Sequence, residues 1–339
     1  MRFAVFLLCV STSWAFTTVG KNEAEPPLGT YSLTGKALVD HVNHNQQLFK
    51  AEVDGNEDVY KYKLMDAKFV GRGPFEEEEY LYEDSDGADI PESFDARVQW
   101  PECPSIRNIR DQANCGSCWA FASTEAMSDR VCIASEGKRQ VLLSADDLLS
   151  CCTSCRIGCQ GGWPIIAWRY FVEHGICSGG AYGDKNTCKP YEFAPCGHHK
   201  NQTYYHECKG RTEPPKCQRK CQDGYPVSYE DDKTYGWTAY FLRSVSAIQR
   251  DIMKNGPVVA AFMAYEDFLQ YKSGIYKHTA GAEVGGHVVK IIGWGTENDV
   301  PYWIMANSWN TDWGEDGFFR MIRGVDECLI EDYVVAGLV

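Results

Sequence analysis

Apolar positions between residues 118 and 172 recur at helical spacing. In the run 119–131, small and apolar residues alternate with Glu125 and Asp129 on one side, which predicts a helix with its apolar face buried. Segments 142–149 and 163–173 repeat the rhythm. After Gly256-Pro257 the period changes: Val/Ile/Tyr/Trp-rich runs broken by glycines predict strands at 258–263, 287–294, 302–306, 317–323 and 332–336. The pattern predicts an α+β fold, a helical lobe followed by a β-rich lobe, with about 250 residues available for two lobes around one cleft. Ahead of both, 33–43 again has helical apolar spacing. Between 186 and 224 neither period survives in a stretch rich in Cys, Lys and Pro, and no internal repeat is present.

The candidate chemistry centres on Gln112-Ala-Asn-Cys115-Gly-Ser-Cys118-Trp119-Ala-Phe121. Cys118 falls where the 119–131 helix begins, and the positive end of a helix favours the thiolate, the nucleophilic form, over the thiol. Cys115-Gly-Ser-Cys118 also reads as a C-x-x-C, hence as a redox dithiol or half of a zinc site, although C-G-S-C-W is far more specific than that pattern. A nucleophilic thiolate needs a base held by an orienting partner. His287, after Gly285-Gly286 and at the mouth of an apolar strand, is rigidly mounted for that role. Asn307 offers a neutral amide to its ring N–H, and Trp309 an indole to keep water off that bond.

These residues resemble the papain family of cysteine proteases and, within it, the cathepsin B group, from about residue 90 to the C-terminus. The resemblance implies a papain-like two-lobe fold, a helical lobe plus a barrel-like β lobe, with the active site between them. It implies Cys118 as nucleophile, His287 as general base and acid, and Asn307 as orienter. Gln112 and the Cys118 backbone N–H would form the oxyanion hole, and Trp309 would shield the His287–Asn307 bond. Gly161 and Gly162 would let a substrate backbone approach closely. Cys118 and His287 stand 169 residues apart (287 − 118), against about 130–150 in the papain pattern. The excess falls in 186–224, which the resemblance makes an occluding loop over the primed end of the cleft. There His198 and His199 would receive a substrate's terminal carboxylate, giving peptidyl-dipeptidase beside endopeptidase activity. Two body carboxylates that latch such a loop match Asp111 and Asp312, and His198 matches the latching histidine. No arginine lies between Cys196 and Cys208 to make the second latch, and Lys200 lacks its planar fork, so a looser loop is expected. At the floor of the S2 pocket stands Tyr333, with Asp332 on the opposite face and Glu331 two residues away, which predicts apolar or aromatic P2 residues.

The ends and the cysteines set the compartment. Residues 1–15 join Arg2, an apolar run and Ser13-Trp-Ala15 into a secretory leader too short to span a membrane. Residues 16–89 resemble a short propeptide, ending in the acidic run Glu76–Glu79, Glu83, Asp84, Asp86 and Asp89 as the cut site, and 90–339 the mature peptidase. Sixteen cysteines suit an oxidising destination, and fifteen remain without Cys9, so at least one thiol is free. The resemblance implies bridges Cys103–Cys132, Cys115–Cys159, Cys151–Cys217, Cys152–Cys155, Cys188–Cys221 and Cys196–Cys208, leaving Cys177 and Cys328 unassigned. Asn201-Gln-Thr203 is a glycosylation sequon. A net charge of −14 argues against a nucleic-acid partner. The expected partners are peptide and protein substrates, the chain's own propeptide and cystatin-like inhibitors. The expected state is a lysosomal or secreted monomer, a digestive lumen included, with no cofactor, no metal and no membrane insertion. A catalytically silent binding relative is the other class.

Overall fold

The computed structural model describes residues 29–71, 89–155 and 157–339; the leader expected at 1–15 and the acidic residues 76–86 lie outside them. An N-terminal segment carries α1 (Gly35–Asn45), β1 (Phe49–Ala51) and α2 (Glu57–Lys63). The body follows with β2 (Phe94–Asp95), α3 (Ala96–Gln99), α4 (Cys118–Ala134), α5 (Ala145–Cys151) and α6 (Pro164–His174). From 175 to 239 there are only turns and isolated bridges. The chain then forms β3 (Tyr240–Leu242), α7 (Val245–Asn255), β4 (Val258–Tyr265), α8 (Glu266–Leu269) and β5 (Tyr271–Tyr276). Last come β6 (Glu283–Glu297), β7 (Val300–Ala306), β8 (Phe318–Ile322) and β9 (Val334–Ala336).

The strands join one sheet in the order β1-β5-β8-β7-β6-β4-β9-β3, with β2 added to β6. Its central strands have two buried faces, which is why they read as unbroken apolar runs. On β4, Val259 and Ala261 join the helical core with Val288 of β6. Val258, Ala260, Phe262, Val289 and Ile291 join the β core behind the sheet. The alternation follows from the two-residue period of a strand. It puts Val288 and Lys290 toward α4, and His287 and Val289 toward the β core.

Helix α4 departs from the expectation of one buried face: every residue from Cys118 to Cys132 is buried, Glu125, Asp129 and Arg130 included. Partners make this tolerable. Lys290 of β6 donates to Asp129 at 2.7 Å with both side chains fully buried, and Arg130 pairs with Asp251 of α7. Breaking such a pair on one side leaves an uncompensated buried charge, a cost of about 3–5 kcal/mol. These ties fix the helix that carries Cys118 against the strand that carries His287.

Among the described residues six disulfides form: Cys103–Cys132, Cys115–Cys159, Cys151–Cys217, Cys152–Cys155, Cys188–Cys221 and Cys196–Cys208. They give the irregular 175–239 stretch a framework that its sparse secondary structure does not. Cys118, Cys177 and Cys328 are unbridged. Burial, reinforced by Asp147, pushes the Cys177 thiol far up, so it is a packing residue. Asn201 is exposed.

Candidate active site

Cys118 is the first residue of α4, after Ser117, whose hydroxyl lies 3.0 Å from that of Tyr191. The preceding loop is held by the Cys115–Cys159 bridge and by Gly116 N–H donating to the Cys159 carbonyl at 2.9 Å. A Cβ on Gly116 would stand 2.6 Å from the Leu64 carbonyl oxygen, so glycine is required where the N-terminal segment crosses. The Cys118 thiol receives the backbone N–H of Val288, the residue after His287. The start of α4 and the strand that carries His287 thus meet at the cleft.

His287 Nε2 lies 2.8 Å from Asn307 Oδ1, which also accepts the Ser308 N–H at 2.8 Å. An oxygen accepting both bonds fixes the tautomer: the proton sits on Nε2, and Nδ1 carries none. Nδ1 is buried with no hydrogen-bond partner. The Trp309 ring covers the imidazole at 4.7 Å. Ser308, which the sequence reading passed over, orients a second group. Its hydroxyl donates to Gln112 Oε1 at 2.7 Å, turning Gln112 Nε2 toward the cleft, where it donates to the carbonyls of Cys115 and Lys63 at 2.7 Å each.

Burial pushes the Cys118 thiol up to about 12 and His287 down to about 4, against the help each gets from neighbouring dipoles. In the covered cleft the pair is therefore neutral, thiol beside imidazole. The helix N-terminus does not ionise the sulfur by itself, as the sequence suggested, because desolvation outweighs it.

The cover is the N-terminal segment. Tyr60 stacks on Trp309 at 5.0 Å and 7°. Lys63, with its side chain 1% exposed, donates to Asp111 at 2.7 Å. Met65 and Gly286 exchange two backbone hydrogen bonds of 2.9 Å, and Asp66 N–H donates to the Gln160 carbonyl at 2.9 Å. Phe69 lies against Gly161, whose φ of +132° and lack of a Cβ the contact requires, and meets Trp163 edge-on at 4.8 Å. Gly162 has a different neighbourhood: its missing Cβ makes room for the Trp119 ring and the Cys155 carbonyl.

Residues 90–338 match the model of the papain family of cysteine proteases. The chain belongs to that family. It is 50% identical over 344 residues, all of both chains, to "Cathepsin B-like cysteine proteinase 1" of Ostertagia ostertagi. It is 52% identical over 317 residues to "Cathepsin B-like cysteine proteinase 6" of Caenorhabditis elegans, covering 90% of this chain and 83% of that one. Among solved structures, "proCathepsin B S9 from Trypanosoma congolense" superposes with a TM-score of 0.73 at 38% identity, covering 89% of this chain and 97% of that one. The protein is a papain-like cysteine peptidase with the two-lobe α+β fold.

Within this papain-like frame the 186–224 insertion carries one correction. The latching histidine is His199 rather than His198. Its Nδ1 lies 3.1 Å from Asp312, and its Nε2 lies 3.3 Å from Asp111 and 3.1 Å from the Cys196 carbonyl. All three partners only accept, so both ring nitrogens carry protons and His199 is an imidazolium. Burial would lower its pKa, but Asp312 and Asp111 hold it above the ordinary value. Burial would raise both aspartates, but Lys63 and then His199 hold Asp111 below its usual range, and His199 does so for Asp312. His198 instead projects into solvent, 80% exposed, stacked on Tyr204 and 3.8 Å from Glu207. A second tie that the sequence did not reveal is neutral: the amides of Gln202 and Asn310 exchange hydrogen bonds of 2.6 and 3.1 Å.

Tyr333 is fully buried in the helical core that also holds Met65 and Phe69, its ring 5.3 Å from Phe241. Glu331 is turned away, accepting from Trp303 Nε1 and from the N–H groups of Gly324 and Asp326.

Proposed function

We propose that the chain is made with a leader at 1–15, a propeptide at 16–89 and a mature peptidase at 90–339, and that its destination is the lysosome or the exterior. Cys118 is the nucleophile, His287 its base and acid, and Asn307 the orienter. Gln112 and the Cys118 N–H stabilise the tetrahedral oxyanion. One observation carries this reading: a peptide already crosses the site, its Lys63 carbonyl on Gln112 and its Met65 paired with Gly286. Once the cover leaves, water returns, the desolvation that keeps the pair neutral falls away, and thiolate–imidazolium becomes accessible.

With the 186–224 loop closed, the protein removes dipeptides from C-termini, and His198 is the histidine left free to meet the carboxylate. With the loop open, it cleaves internally. The latch has a defined pH window. His199 is raised, so its contribution is complete below the ordinary histidine value and fades as pH climbs through the raised one. Against burial, Asp312 is lowered by His199, so its contribution is complete above the ordinary carboxylate range and fades only as pH falls through the depressed value. Closure therefore holds through mild acid and weakens as pH climbs through the raised His199 value. The ratio of internal cleavage to dipeptide release is expected to rise from pH 5 to pH 8 as the raised His199 loses its proton. His199→Ala flattens the curve. A wild-type ratio independent of pH would reject the latch.

Tyr333 supports apolar P2 residues. Arginine at P2 would be buried without a countercharge, so kcat/KM for Arg is expected to lie at least about tenfold below that for Phe, with Tyr333→Glu narrowing the gap. Equal use of the two by the wild type would refute the assignment.

A further inference from the structure

Arg211 is a cation on the wall of the cleft that neither the spacing of the catalytic residues nor the loop latch accounts for. The backbone on both sides of it is pinned to one residue. Asn114 Nδ2 donates to the Gly210 carbonyl at 2.7 Å, and Thr212 N–H donates to the Asn114 carbonyl at 3.0 Å. Asn114 precedes the Cys115–Cys159 bridge, so Arg211 rides on the same wall as Gly116. Its guanidinium donates to the carbonyls of Leu64 at 2.8 Å and Lys61 at 3.3 Å. Second only to the Cys159 carbonyl oxygen at 2.4 Å, the Leu64 oxygen stands 2.6 Å from where a Cβ on Gly116 would lie. It lies one residue from the Lys63 carbonyl on Gln112, toward Met65, Asp66 and Phe69, on the side away from the loop latch. The positive charge of Arg211 reaches Cys118 and Asp66, favouring the ionised form of each. Among the described residues no carboxylate pairs with Arg211, and the propeptide supplies only backbone oxygens.

We propose that in the processed enzyme Arg211 sets the charge preference at the residue whose carbonyl is attacked (P1), favouring an acidic side chain there and disfavouring lysine or arginine. The inference rests on the peptidase reading above. When residues 29–71 leave, the guanidinium loses both acceptors and faces the bound peptide beside the sulfur. Guanidinium stays charged throughout the working pH range and offers a planar fork matched to a carboxylate. A lysine or arginine in the same place meets a like charge on a wall with no described carboxylate to offset it.

The test uses processed enzyme and three peptides that differ only at P1, carrying Glu, Gln or Lys, with Phe at P2. In the wild type, kcat/KM is expected to be higher for Glu than for Lys. The Glu/Lys ratio should fall roughly tenfold in Arg211→Gln, survive in large part in Arg211→Lys, and invert in Arg211→Glu. Because each ratio is taken within one variant, a general loss of activity does not imitate the effect. A ratio that stays within about twofold across the variants, with the Gln peptide still cleaved, overturns the role of Arg211 and leaves the peptidase reading standing. Failure of the wild type to cleave the Gln peptide overturns both.

Discussion

Processed protein carrying Cys118→Ala is expected to lose peptide hydrolysis by roughly 10⁶-fold in turnover, the size of effect seen when the nucleophile of a concerted catalytic set is removed. Its fold should survive. Cys118 belongs to no disulfide, and α4 is held by burial from Cys118 to Cys132, by Asp129–Lys290 and by Arg130–Asp251. Losing one buried sulfur costs on the order of 1 kcal/mol, a fall of about 2–4 °C in a domain of this size. Peptide turnover, titration with a cysteine-directed epoxide and a thermal melt check the prediction together. Substantial hydrolysis by the alanine variant, or epoxide uptake at Cys177 or Cys328 instead, would move the chemistry elsewhere. Cys115 is not an alternative, since its bridge to Cys159 removes it from redox or zinc chemistry.

The parts of the fold that could be read from the chain are those where local signals and burial agree. The strands at 258–263, 287–294 and 302–306 emerge as Val258–Tyr265, Glu283–Glu297 and Val300–Ala306, the middle one longer than its apolar run because its ends are exposed and polar. The helix at 33–43 emerges as Gly35–Asn45. Elements with mixed signals were missed. Helix α7 is amphipathic but follows a short strand, and β5 has its run interrupted by Lys272 and Gly274. The burial of Glu125 and Asp129 was also hidden, because their positive neighbours Arg110 and Lys290 are brought in from distant segments; burial still pushes Glu125 up to about 7. At the site, Cys118, His287, Asn307 and Gln112 were visible because each sits in a distinctive local string. Lys63, Arg211 and the choice of His199 over His198 were not. Their meaning lies in contacts separated by 48, 147 and 113 residues, and adjacent histidines cannot be told apart until the chain direction at Cys196 is fixed.

In the unprocessed chain, Lys63→Met is expected to expose Cys118 about 100-fold faster to iodoacetamide and to move acid activation to higher pH. Lys63 reaches Asp111 from the propeptide with almost no solvent access, and its carbonyl occupies the Gln112 donor. Methionine preserves the stem but leaves Asp111 with His199, Asn310 and the Ala113 N–H. Removing one partner of a buried pair costs about 3–5 kcal/mol, of which these remaining partners recover a part; an exposed balance near 2.7 kcal/mol corresponds to about 100-fold. The sign of the pH effect follows from Asp111. Burial would raise its pKa, but Lys63 holds it below the usual carboxylate range, so the pair persists until pH falls through that depressed value. Without Lys63 that acid-resistant tie is gone, and the cover opens under milder acid. Lys63→Arg retains the charge and should label more slowly than methionine. Equal labelling rates for wild type and Lys63→Met would place the lock in the Tyr60–Trp309 stack and the Met65–Gly286 backbone pair instead.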